Sequence, residues 1–270
     1  METKTKNNGV LTLALSSAFV NFAVTSQSDF IYPRDRLFNL ALSALLNFGV
    51  IYFIRYIDFK KNGYNVFAAA FILYRLMVNA IKFSEFFQDF YGANMEVIVL
   101  FTAILIAICI KLDFNNILKV YIFFIAINAV LLALVVWLSV GKINVMNLYA
   151  TSLEVSFKPN KLIFFNEIII INLLVEEDKK LKIGLNFLWS GVGGVALFTL
   201  LQGLCIGGDM LYSISPLQGL MQIFSGRTIK RFDYYIALLQ GLNYYGSVML
   251  LMCGARSIRR KKGVTCDENI

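Results

Sequence analysis

Lys161-Leu-Ile-Phe-Phe-Asn-Glu-Ile-Ile-Ile-Ile-Asn-Leu-Leu-Val175, closed by Glu176-Glu-Asp-Lys-Lys180, is the stretch on which the fold turns. It is apolar enough to enter a bilayer, yet it carries Asn166 and Glu167 in its first third and a second amide at Asn172. An ionised acid at the centre of a membrane helix costs about 2.5–3.5 kcal/mol on insertion scales. Glu167 therefore needs a partner, a proton or water. Pro159 stands just upstream, and a helix does not pass through proline unperturbed. At about 1.5 Å per residue, Lys161 to Val175 reaches only about 22 Å, against a hydrocarbon core of about 30 Å. The stretch is either a short span or the continuous half of a broken one. Broken spans with polar residues at the break are a common way to build a ligand site near the bilayer midplane.

The rest of the chain surrounds this stretch with similar material. Of 270 residues, 58% are hydrophobic and only 16% charged, and the mean hydropathy is +0.68. That lies outside the range of soluble domains. The apolar runs are long and uninterrupted rather than alternating, so the fold class is an all-α, polytopic helical membrane protein. The net charge of +8 is a topology signal rather than a nucleic-acid footprint, because the basic residues fall mostly between or beyond the apolar runs. No small-x-small cleavage site closes the first run, which is read as retained.

Eight apolar runs can be placed, at about 10–25, 37–54, 65–90, 96–110, 117–140, 161–175, 183–206 and 232–252. Residues 1–255 read as a single transmembrane helical domain, and 256–270 as a basic cytoplasmic tail. With the N-terminus inside, the inner face receives Lys4, Lys6, Arg55, Lys60, Lys61, Lys111, Lys119, Lys179, Lys180, Lys182 and the tail. The outer face receives fewer, so both termini are expected in the cytoplasm. Between the last two runs, Ser215 and Pro216 suit the cap and first position of a short amphipathic helix.

Several polar residues sit inside these runs. Arg75, Asn79, Lys82, Glu85 and Asp89 share roughly one face of the third run, which must look into the bundle or a wet cavity. Glu85 and Asp89 equally fit local pairing and snorkelling near the outer end. Ser16, Ser17 and Asn21 offer polar groups from the first run, although small hydroxyl residues also simply pack helices together. Gly191, Gly193 and Gly194 lie inside an apolar run and read as a close-approach surface. Tyr234, Tyr235, Tyr244 and Tyr245 read as interfacial belts around the last run.

Enzymatic chemistry is the weaker expectation. The chain has no histidine, which removes His-based acid–base catalysis and His-ligated metals. The cysteines, Cys109, Cys205, Cys253 and Cys266, show no CxxC spacing, so the sequence indicates neither a metal site nor a disulfide framework. No catalytic residues, metal or other cofactor are expected.

The order of segments resembles the spore-germination permease family, the GerAB-like B subunits of germinant receptors within the amino acid–polyamine–organocation superfamily. Three stretches carry the resemblance: Lys82-Phe-Ser-Glu-Phe86; Phe164-Phe-Asn-Glu167 with its apolar run and Glu176-Glu-Asp-Lys-Lys180; and Ser215-Pro-Leu-Gln218 through Ile229-Lys-Arg-Phe-Asp233. The match is one of pattern and covers about Tyr64 to Met252. It implies a five-plus-five inverted-repeat transporter fold, shortened here to about eight spans. It also implies a membrane subunit that binds a small germinant, typically an amino acid, beside other germinant-receptor subunits in the inner spore membrane. Asn166, Glu167 and Glu85 match site-lining positions of that family. With Asn79, Ser17 and Asn21 they form the expected ligand-binding set. Two further readings stand beside this one: an amino acid permease-like transporter, and a scaffold subunit without a ligand of its own.

Overall fold

In lipid, a backbone has no water to satisfy its N–H and C=O groups, so long apolar runs must close their hydrogen bonds internally as helices. The computed structural model of the chain follows that rule. It describes residues 11–20, 33–54, 56–57, 64–91, 95–111, 114–149, 162, 164–165, 167–206, 220, 241 and 244–258. The described residues are helical with short connections and contain no strand. In chain order the helices are α1 (Leu11–Val20), α2 (Pro33–Ile54), α3 (Tyr64–Tyr91), α4 (Met95–Lys111), α5 (Phe114–Val140), α6 (Met146–Tyr149), α7 (Glu167–Leu174), α8 (Glu177–Ile206) and α9 (244–258).

The chain is a membrane protein by the length and composition of its helices. Among the described residues, four segments are long and apolar enough to cross a bilayer: Pro33–Ile54, Tyr64–Ile81, Lys119–Val140 and Glu177–Ile206. Leu11–Val20 and Val99–Cys109 are shorter apolar helices. Large apolar side chains stand outward along α3 and α5, among them Leu73, Met77, Phe123, Val130 and Trp137. On a soluble protein such faces would be a liability; here they are the lipid-facing surface.

α8 is the helix around which the others gather. It packs most extensively along α2 and also touches α5, α6 and α7. Glycine makes this possible. A Cβ at Gly184 would lie 2.9 Å from Ile51 Cγ2 in α2, and one at Gly191 would lie 2.8 Å from the Phe19 ring in α1. A Cβ at Gly194 would lie 2.5 Å from Val20 Cγ2. Gly193, with nothing within 4 Å, takes no part. The close-approach surface expected of the three glycines therefore involves Gly191 and Gly194 only. Ala substitution at either is expected to lower the melting temperature in detergent, because overpacking costs about 1–3 kcal/mol. Gly193→Ala is expected to leave the melting temperature unchanged or slightly raised, since alanine favours the helix. Equal effects at all three sites would contradict this packing.

Elsewhere the helix boundaries refine the sequence reading. α8 begins at Glu177 rather than near Ile183, and the exposed Glu176, Glu177 and Asp178 form its solvated start. Lys180 is buried there. α9 runs on through residue 258, which places Arg256, read as the start of the tail, inside the helix. Tyr244 is not an interfacial residue: it is buried, stacks on Phe83 at 4.2 Å and shares a hydroxyl hydrogen bond with Thr102. The 215–216 helix start, Tyr234 and Tyr235 lie outside the described residues.

Candidate functional site

The central expectation concerned Glu167, which opens a short helix. α7 has only 8 residues, about 12 Å of helix, and Leu162, Phe164 and Phe165 before it are not helical. A non-helical backbone at membrane depth must find partners inside the protein. It finds one in α2: the Phe165 N–H donates to Asn47 Oδ1 at 2.8 Å. The Phe165 ring then packs edge-on against Phe19 of α1 (4.2 Å) and Phe187 of α8 (6.1 Å). Asn47 lies seven residues before the end of α2, about 10 Å along the axis.

Asn47 belongs to a buried ladder on one face of α2. The Asn39 amide donates to the Asp35 carbonyl (2.9 Å), the Ser43 hydroxyl to the Asn39 carbonyl (2.7 Å), and the Asn47 amide to the Ser43 carbonyl (2.7 Å). Each rung satisfies a polar side chain on its own helix, which lets the face pack into the bundle without stranded donors. At the far end of α7, Asn172 donates to the carbonyls of Ile54 and Ile57, at 2.6 and 3.0 Å, and accepts from the buried Lys180 ammonium at 3.1 Å. Helix ends leave carbonyls unsatisfied; Asn172 binds the last carbonyl of α2, at Ile54, and that of Ile57 just beyond it, and so ties α7 to the end of α2. Exposed Tyr52, Phe53 and Tyr56 at the same end of α2 suit the membrane interface.

Glu167 opens α7, where the helix dipole favours negative charge. Its carboxylate faces the Arg75 guanidinium of α3 at 3.6 Å, and both side chains are 11% exposed. One turn along α3, the Asn79 amide donates to the Ser247 hydroxyl of α9 at 2.7 Å. Ile72 beside Gly254 and Asn79 beside Ser247 show that α3 and α9 run antiparallel here. Arg75, Glu167 and Ser247 line a cavity closed by Leu15, Ala18, Phe71, Ile170, Leu250 and Leu251. The centre of a water-sized sphere has about 10 Å³ in which to move, roughly what one ordered water needs and far too little for an amino acid. Behind this wall Tyr121 of α5 is buried, with its hydroxyl donating to the Ala14 carbonyl at 3.2 Å.

Searches against protein-family models, curated proteins and solved structures return no match.

The geometry divides the expected ligand set. Glu167 and Asn79 are both buried and lie within one polar neighbourhood, bridged by Arg75 and Ser247. Ser17 is half-buried on α1 and is not among the residues lining the cavity. Glu85 is on α3 but ten residues beyond Arg75, about 15 Å along the axis; its side chain lies outside the described residues. Asn21 and Asn166 also lie outside them. Among the described residues, no group of three or more His, Cys, Asp or Glu side chains is placed to hold a metal ion. Asn47, Ser247 and Tyr121 were not singled out from the sequence. The i, i+4 recurrence of Asp35, Asn39, Ser43 and Asn47 in an apolar run was the available signal for the first.

Proposed function

We propose that the chain is a spore-germination protein, the permease-type membrane subunit of a germinant receptor, and that it binds a small zwitterion such as an amino acid between Arg75 and Glu167. The observation that carries the ligand site is the buried Arg75–Glu167 pair at the start of the short helix α7. A zwitterion bears the same two charges as the pair it replaces. Its ammonium takes Glu167 and its carboxylate takes Arg75, so neither buried charge is left unmatched. The germinant role rests on the resemblance of the stretches around Lys82, Phe164 and Ser215. On this reading the bundle has eight spans, a shortened five-plus-five inverted repeat, with both termini cytoplasmic. It sits in the inner spore membrane with other receptor subunits as partners.

The small cavity favours one other reading, a scaffold subunit into which nothing binds. The ligand reading requires α7 to move away from α3, with the non-helical backbone at Phe164 and Phe165 as its hinge. The receptor role is tested in spores of the host. Removal of the gene is expected to abolish the response to one germinant class and spare the others. Full responses to every germinant would rule the receptor role out.

A further inference from the structure

A second polar-reactive cluster lies away from the Arg75–Glu167 pair. Cys109 in the last turn of α4 and Cys253 of α9, far apart in sequence, are packed into one buried cluster with Ile117 and Met249. Leu105, Phe124, Leu174 and Met252 surround it. The chain has four cysteines and eight methionines in 270 residues. Half of this eight-residue cluster nevertheless carries sulfur, far above the share of sulfur in the chain. Both thiols are free rather than joined in a disulfide. Met249 and Cys253 are four residues apart on α9 and so share a face. Arg256 lies within electrostatic reach of both thiols.

We propose that Cys109, Cys253 and Met249 form a binding site for a soft monovalent cation of the copper(I) class. Thiolate and thioether ligands select such ions, whereas zinc sites call for four nitrogen or sulfur donors of which histidine is a common part. Binding replaces the two thiol protons by one metal ion and releases both protons to solvent; the Met249 thioether coordinates without changing charge. Two thiolates and one monovalent cation leave a net charge of minus one. The guanidinium of Arg256 offsets that charge. This balance is what makes the site tolerable in a low-dielectric bundle, where an uncompensated charge is expensive. A divalent ion would leave the cluster neutral and the Arg256 charge without compensation from it. The sulfurs are buried but lie close to helix ends. Ser257, next to Arg256, donates to the Leu173 carbonyl at 3.2 Å, at the end of α7. The sulfurs therefore lie near the bilayer face where α2 and α7 end.

The test is an anaerobic titration of the full chain in detergent with copper(I), in competition with bicinchoninate. The wild type is expected to withhold one copper(I) per chain from the chelator. Cys109→Ser and Cys253→Ser are each expected to weaken binding more than tenfold, while the Cys205→Ser/Cys266→Ser chain binds as the wild type does. Copper-edge X-ray absorption of the loaded wild type, which needs no variant to fold, is expected to show sulfur neighbours only. Failure to withhold copper, equal binding by the Cys109 and Cys253 variants, or nitrogen and oxygen neighbours at the metal would each overturn the proposal and leave the cluster as packing.

Discussion

Arg75→Gln is expected to destabilise the protein by about 3–5 kcal/mol, because it leaves the Glu167 carboxylate buried without its countercharge. Glu167→Gln is expected to destabilise as well, by removing the carboxylate that faces the buried guanidinium. The double variant Arg75→Gln/Glu167→Gln is expected to recover most of either loss, since removing both charges of a buried pair is far less costly than removing one. Melting temperatures in detergent for the four proteins make the cycle. Single variants as stable as the wild type, or a double variant no better than the worse single, would show that the two side chains are not coupled. The cycle also yields a folded protein without the charges of the proposed ligand site, and that separates folding from recognition.

The second large effect is expected at Gly246. A Cβ there would overlap the Tyr121 ring, with Cζ at 2.9 Å and Cδ2 at 3.0 Å besides a still closer Cε2. Tyr121 has nowhere to withdraw: it is 4% exposed and its hydroxyl is bonded to the Ala14 carbonyl. Gly246→Ala should therefore cost about 1–3 kcal/mol in overpacking, and more where the Tyr121 hydrogen bond is lost with it. In a Tyr121→Ala background the same glycine substitution is expected to cost much less, because the ring is the obstacle. If Gly246→Ala melts with the wild type, α9 does not approach α5 as closely as described.

The membrane class and the helices were legible in the sequence because both follow from local pattern. Long apolar runs fix α3 and α4 to within a residue and α5 to within three, and Glu167 is where α7 begins. The partners of the backbone before α7 were not legible. Arg75 was visible only as part of a polar stripe on its own helix; nothing in the sequence says that α3 meets α7. Asn47, which accepts the Phe165 N–H, lies in a run whose overall hydropathy hides its polar face. Tyr244 misled for the opposite reason. A tyrosine near a span end usually belongs to the interface, but here Phe83 and Thr102 supply the stacking surface and the hydrogen bond that let it be buried. The Cys109–Cys253 cluster is invisible to spacing rules, which see ligands close in sequence and not helices that meet in space.

The central claim, a zwitterion site between Arg75 and Glu167, is tested most directly by thermal stabilisation of the purified protein with matched compounds. For each side chain the set holds the amino acid, the amine lacking its carboxylate and the acid lacking its amine. Ligand at about a hundred times its dissociation constant stabilises the bound state by about 2.7 kcal/mol, a readily measured shift. A shift is expected with at least one amino acid, little or none with its amine and acid, and none with the Arg75→Gln/Glu167→Gln protein. A shift that survives in that double variant, or no shift of the wild type with any compound, would contradict it.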